Sequence, residues 1–482
     1  MYLEGDIAMP YDPLHFRQSA TTAIKDEQLQ TAIRRATSNV EARRAQALAE
    51  LPDAQQSRQQ GRGARLRALH DLPELLEQAE RNVQAAGGTV LWAQDAEEAN
   101  RLVLEICQRH DLKRGVKSKS MVTEEIGLVP MLEAHGIEMV ETDLGEFIVQ
   151  VMEDRPSHIV MPVMHMTKER VRDVFMEKLG MPEPQGDGVE MAREITAYAR
   201  KLLREKFLNA DFGISGANFL IAETGTVVVV TNEGNGRFTT SLPPVYIAIT
   251  GIEKVIPTWE DFATLLQMLV RSATGQRLSI YTNMTTGPAR PDDADGPQHF
   301  YLILLDNGRS DIYAGEYAEA LACIRCGACM NICPVYGAVG GHSYGSIYPG
   351  PIGSILTPLF RGKAQAEPLP FASSLCGACK DACPVDIDIP TMLIKLRRDL
   401  ANRQPLYWRA GMQGYSYTFR HPLLYHLSGE MGRRVTIKLK NQQGTINQLP
   451  FPFNGWTDSR DFPPLAEQSF HEWWQQNRES NA

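Results

Sequence analysis

Between residues 71 and 300 the hydrophobic pattern switches repeatedly between two periods. Gly88-Thr89-Val90-Leu91-Trp92 is a short β-branched run after glycines, and DAEEANRLVLEICQRH behind it carries apolar residues at helical spacing. HIVMPVMH, with Ile159 to Val163 at its centre, predicts a buried strand, and KERVRDVFMEKLG predicts a helix after it. REITAYARKLLREKFL is amphipathic along its length. Thr226 to Thr231 is continuous and β-branched, the pattern of a strand buried on both faces. PVYIAITGIEKVIP predicts another strand and EDFATLLQMLVRSAT another helix. Strands separated by helices of this length predict an α/β domain, with a largely parallel sheet covered on both sides.

The flanks follow other patterns, so the chain divides into segments 1–70, 71–305, 306–400 and 401–482. The first is rich in Ala, Arg and Gln and predicts one or two surface helices with a break near Gln59-Gln60-Gly61. Its arginines read as a solvated helix face, with a partner-binding arm as the other reading. The last segment holds Trp408, Trp456, Trp473 and Trp474, and Pro450, Pro452, Pro463 and Pro464 break regular structure in it. It reads as an aromatic strap packed on the other domains or as an exposed docking surface.

Composition narrows the function classes. Hydrophobic residues make up 43% of the 482 and charged residues 22%, as in ordinary globular proteins. A formal net charge of −9 argues against general nucleic-acid binding, which needs positive surface. The N-terminal residues show no basic region followed by an apolar run, and no stretch approaches the ~18 apolar residues of a transmembrane helix. The expected location is the cytoplasm, with peripheral membrane association only through a partner.

Eight cysteines carry the chemistry. Cys107 stands alone inside a helical pattern and reads as a small buried hydrophobe. The others are Cys323, Cys326, Cys329, Cys333, Cys376, Cys379 and Cys383. Thiols clustered in a large chain without a leader pattern point to metal rather than disulfides. The first run, C-x2-C-x2-C-x3-C-P, is the bacterial ferredoxin pattern, in which three close thiolates hold one iron–sulfur cube and the fourth serves the other cube. Gly327 lets that loop adopt positive φ, and Pro334 turns the chain away from it. The second run is C-x2-C-x3-C-P, and the position three before Cys376 is Ser373. The crossed assignment gives cluster 1 Cys323, Cys326, Cys329 and Cys383, and cluster 2 Cys333, Cys376 and Cys379. Three thiolates fit either a [4Fe–4S] cube with Ser373 or water as fourth ligand, or a [3Fe–4S] cluster. Structural zinc is the competing reading of paired C-x2-C motifs, but it seldom needs seven cysteines in this order. The helical flanks predict an α-helical ferredoxin-type module for two clusters.

Other motifs speak more softly. His342 and Tyr344, in the glycine-rich GGHSYGSIYPGPIG, either gate electron entry, contact a partner's cofactor, or cover a cluster from water. Glu223 in GANFLIAETGT is either a functional carboxylate or a turn residue. KSKSMVTEEIG offers Ser118 and Ser120 either for an anion or as helix caps. His158 and His165 read as packing or hydrogen-bonded histidines. There is no nucleotide or flavin fingerprint.

Taken together, KSKSMVTEEIG, GANFLIAETGTVVVVTNEGNGR, LDNGRSDI (Leu305 to Ile312), CIRCGACMNICPVY, GGHSYGSIYPGPIG, LCGACKDACPVDI and GWTDSRDFPPLAEQSFHEWW resemble one family over nearly the whole chain: lactate utilisation protein B, the iron–sulfur subunit of a bacterial L-lactate-oxidising system. The resemblance implies a lactate-utilisation domain with a fold like sugar-phosphate isomerases and CoA transferases. It implies two [4Fe–4S] clusters, with the missing fourth cysteine normal for the family. It also implies partner subunits of the same system, an electron carrier as acceptor, and a role in passing electrons during oxidation of L-lactate to pyruvate. In that role the chain is a non-catalytic subunit and no catalytic residue is assigned. The competing reading is an enzyme that binds a hydroxy acid or acyl donor on the α/β domain, with structural clusters.

Overall fold

The computed structural model describes residues 11–451 and 453–478. Residues 1–10, part of the segment inspected for a leader, and Pro452, one of the proposed breakers, lie outside the described residues. The chain forms two compact units, Met1–Arg398 and Asp399–Ala482.

Among the described residues the first unit has ten strands: β1 (Thr89–Ala93), β2 (Arg114–Lys117), β3 (Glu138–Glu141), β4 (Phe212–Ser215), β5 (Phe219–Ile221), β6 (Thr226–Thr231), β7 (Val245–Gly251), β8 (Val255–Ile256), β9 (Tyr281–Thr285) and β10 (His299–Leu305). Six form a sheet in the order β1-β10-β7-β4-β2-β3, every pairing parallel. Central strand β7 is buried at every position, as its apolar run demands. Helices Ala96–Arg109 and Leu128–Ala134 pack one face through Val103, Ile106, Leu128 and Leu132. Leu72–Ala85 covers the other through Leu75, Leu76 and Val83. The expected α/β layering is therefore present. Cys107 is buried in the first of these cores, where burial pushes its thiol up to about 12.

Three expectations need correction. The β-branched run 226–231 is not a strand of the parallel sheet. It forms β6 of a second, four-stranded sheet, order β8-β5-β6-β9, antiparallel to β5 and β9. A continuous apolar run reports burial, not partner direction. PVYIAITGIEKVIP likewise splits into β7 and β8, which belong to different sheets. Residues 159–163 form no strand. His158 Nδ1 accepts the N–H groups of Val160 (3.0 Å) and Met161 (3.1 Å), and Pro162 has none to give, so no ladder can form.

The N-terminal segment also differs from its expectation. It forms helices Phe16–Ala23, Glu27–Ala49 and Ala54–His70, with breaks at residues 24–26 and 50–53. Gln59-Gln60-Gly61 lies inside the third helix. Asp26 and Asp53 cap the second and third helices through bonds of 2.9 and 2.8 Å, which places the breaks where the caps are.

The second unit has helices Leu406–Arg420 and Pro422–Lys438, with a short helix Phe470–Asn477 started by a Ser469/Glu472 capping box. Ile446 and Phe462 form an isolated antiparallel bridge. Among the described residues no helix is long and apolar enough to cross a membrane.

Candidate metal centre

Two loops of nearly identical backbone carry the cysteines. In the first, Arg325 (φ +59) precedes Cys326 and Gly327 (φ +78) follows it; in the second, Leu375 (φ +57) precedes Cys376 and Gly377 (φ +87) follows it. Left-handed backbone at both glycines turns each loop sharply into a short helix, Ala328–Asn331 or Ala378–Asp381. Each helix delivers its middle cysteine, Cys329 or Cys379, to the interior. A non-glycine residue at positive φ before each cysteine is strained, and strain of this kind gathers at functional loops.

The loops exchange their last cysteines. Cys326 lies within electrostatic reach of Cys383 and Cys323, and Cys329 of Cys323, Cys326 and Cys383. Cys379 instead feels Cys333 and Cys376. Cys383 thus lies with Cys326 and Cys329, and Cys333 with Cys379, and all seven are free of disulfides. Burial pushes Cys383 up to about 11 and Cys379 up to about 12. Cys376 is exposed and is lowered instead, first by the Ala378 N–H and then by the Ser374 hydroxyl.

Buried thiols with raised pKa values do not ionise unaided, and as neutral groups they gain nothing from mutual approach. As thiolates they need positive charge among them, which is what metal supplies. The sulfurs also accept backbone N–H bonds: Arg325 to Cys323 at 3.4 Å, Tyr336 to Cys333 at 3.5 Å, Ile387 to Cys383 at 3.4 Å. Ser373 Oγ accepts the Leu375 N–H at 3.1 Å, the contact that Cys323 Sγ makes in the first loop. Tyr344 is fully buried beside Cys333 and Cys329, and its hydroxyl has no partner among the described residues. A donor left over next to sulfur fits a bound group with acceptor sulfides. Tyr344 therefore covers the thiols and is not placed to touch a partner's cofactor. His342 Nε2 donates to the Arg155 carbonyl (2.7 Å), its ring 4.5 Å from that of His165.

The cysteines all lie in one module, and comparison with known proteins covers the rest of the chain. A model of the LUD domain matches residues 76–305, one of the 4Fe-4S dicluster domain residues 319–387, and one of the lactate utilisation protein B C-terminal region residues 399–479. Lactate utilization protein B of Bacillus licheniformis is 42% identical over 98% of this chain and 98% of its own. That of Shouchella clausii is 43% identical over 97% and 98%, and that of Geobacillus kaustophilus 46% over 85% and 86%. The chain belongs to the lactate utilisation protein B family.

In this member of the family the iron–sulfur module is held by residues the sequence did not single out. Arg58 Nε bonds the Cys383 carbonyl (2.8 Å), and its Nη2 bonds the Lys380 carbonyl (2.6 Å) and Asp386 (2.7 Å). Arg44 bonds the Ala382 carbonyl (2.9 Å), and Arg62 pairs with Glu319 (2.7 Å) and the Asp386 carbonyl. Arg65, fully buried, bonds the carbonyls of Leu321, Ala322, Val255 and Glu253. These arginines are thus staples onto the cysteine loops, not a solvated face. Arg58, Arg62 and Arg65 share the spacing i, i+4, i+7 of one helix face, which by itself does not tell a staple from a solvated arginine. A second network ties the α/β domain to the module: Arg309 is bidentate to Glu125 (2.9 and 2.9 Å) and bonds Glu253 (2.6 Å), and Tyr348 donates to Glu125 (2.7 Å).

The softer signals resolve as follows. Glu223 is exposed and accepts the Trp259 N–H at 3.0 Å, so it is a turn and cap residue. Ser120 caps the helix Met121–Glu125. Burial holds His158 neutral, down to about 3, while His165 bonds Ser157 (2.7 Å) and Asp154 (3.2 Å).

Proposed function

We propose that this chain is an iron–sulfur electron-transfer subunit in the oxidation of L-lactate to pyruvate, passing electrons between partner subunits and an acceptor in the cytoplasm. The observation that carries the reading is the exchange of Cys333 and Cys383 between two otherwise separate thiol sets. On this reading Cys323, Cys326, Cys329 and Cys383 hold cluster 1, and Cys333, Cys376 and Cys379 hold cluster 2. Bound there, such clusters supply one-electron redox centres. The chain's own residues do the rest. Backbone N–H groups at Arg325, Tyr336 and Ile387 temper the thiolate charge, Tyr336 and Tyr344 exclude water, and the arginine staples hold the loops in register. Exposure of Cys376 gives the second set an edge at the surface, where a partner can exchange electrons.

The position of Ser373 supports a four-iron cluster 2, because its hydroxyl occupies the place that Cys323 holds in the first loop. For the α/β domain we propose kinship with sugar-phosphate isomerase and CoA-transferase folds. The function is tested by anaerobic reconstitution and a lactate-to-dye assay with and without the partner subunits. Cys326→Ser and Cys379→Ser abolish dye reduction if the clusters relay electrons; unchanged turnover would rule the relay out.

A further inference from the structure

A cavity of about 400 Å³ opens in the first unit, and no part of the electron-transfer reading uses it. Its walls come from both modules. The α/β domain contributes Ser118, Lys119, and the ends of β6 and β7; the cysteine module contributes Arg325 and Tyr348. Arg325 sits between Cys323 and Cys326, so a residue of the first cysteine loop lines the cavity.

Three polar groups in its walls are unsatisfied. The Arg325 side chain is 7% exposed; Nη2 lies 3.5 Å from Glu253, while Nη1 has no hydrogen-bond partner among the described residues. Lys119 Nζ has none either; its ion pair with Glu146 spans 3.7 Å. Ser118 is 3% exposed, with its hydroxyl unpartnered. A free Arg325 Nη1, a Lys119 Nζ held only by a 3.7 Å ion pair and a buried hydroxyl are costly to fold around unless something brings acceptors to them. Of the other two cations in the walls, Arg309 is already consumed by Glu125 and Glu253, and Lys254 lies beside Glu253.

The opposite wall is apolar, formed by Val160, Met161, Leu269 and Val270. A site with a few converging polar groups and an apolar remainder is the usual form of a small-molecule pocket, and this volume lies within the usual ~300–1,000 Å³. Asp143 and Glu253 also line it. They repel a doubly charged phosphate more than a singly charged carboxylate, so the charge pattern selects the weaker anion.

We propose that this cavity binds a small monocarboxylate, its carboxyl group held by Arg325, Lys119 and Ser118 and its carbon chain lying against Val160, Met161, Leu269 and Val270. The occupant then lies beside the first cysteine loop. The site needs neither cluster to be redox-active, so its failure and the failure of the electron-transfer reading are separate results.

The test is calorimetric titration of the full-length, cluster-loaded chain with acetate, L-lactate, pyruvate, hexanoate and inorganic phosphate. At least one monocarboxylate binds saturably below about 10 mM, and more tightly than phosphate. Lys119→Met weakens it by about tenfold or more, since it removes a charge-assisted bond. Ser118→Ala weakens it less and leaves the fold untouched, which keeps the test decisive if Lys119→Met disturbs Glu146. Arg81→Gln, on an exposed helix face, leaves binding unchanged. Absence of monocarboxylate binding, tighter binding of phosphate, or equal binding by wild type and Ser118→Ala would overturn the proposal.

Discussion

Ser373 stands in the second cysteine loop where Cys323 stands in the first: its Oγ accepts the Leu375 N–H at 3.1 Å, as Cys323 Sγ accepts the Arg325 N–H at 3.4 Å. The two residues that donate share the same left-handed backbone. The loops are therefore two copies of one device, and the second has exchanged one sulfur for oxygen. Ser373→Cys restores the fourth thiolate and should give a cluster 2 that stays four-iron in air. Ser373→Ala leaves three thiolates and should convert to a three-iron form on oxidation. EPR of the oxidised proteins reads the difference; identical three-iron signals in wild type and both variants would remove Ser373 from the site.

Arg58 joins the helix Ala54–His70 to three points on the second cysteine loop. Arg58→Ala leaves two buried carbonyls and Asp386 without their donor. It should cost about 2–4 kcal/mol in urea denaturation of the loaded protein and speed iron loss to a chelator. Unaltered chelation kinetics would show that the staple does not hold the loop.

Tyr344 brings an unpartnered hydroxyl to the thiols of both sets. Tyr344→Phe removes a donor that stabilises the reduced, more negative state. The reduction potential of one cluster should fall by about 40 mV, the one-electron equivalent of a ~1 kcal/mol hydrogen bond. A redox titration that finds both potentials unmoved would contradict this role.

Glu253 gives the protein a defined acid limit. Burial alone would raise its carboxyl, but Arg309, with Lys254 and Arg325, holds it at about 2 against an ordinary 4.5. The folded value lies below the unfolded one. Its stabilising contribution is thus fully present above about pH 4.5 and is lost as the pH falls through about 2. Glu253→Gln should be less stable at neutral pH and should lose less stability between about pH 5 and pH 2 than wild type. Denaturant midpoints across that range check it; parallel curves would sink it.

What the sequence made legible follows from the range of each interaction. The cysteine loops were readable because their spacing is covalent and local, and the missing sulfur at Ser373 could be seen by aligning one run with the other. Helices such as Ala96–Arg109 were readable from period alone. The arginine staples were not, because Arg58 finds its partners more than 320 residues away and nothing local distinguishes it from a solvated arginine. Ile159 to Val163 misled because an apolar run marks burial, while His158 decides what its N–H groups do. The cavity was invisible for the same reason as the staples: Ser118 and Arg325 meet only in the folded chain.

Iron and acid-labile sulfide analysis with EPR, on full-length protein purified without oxygen, tests the central claim most directly. Two clusters held by the two thiol sets predict about eight iron atoms per chain, or about seven if the second is a three-iron form, and Cys379→Ser should remove only one of two reduced signals. A colourless protein carrying zinc, or iron enough for a single cluster that survives Cys379→Ser unchanged, would contradict it.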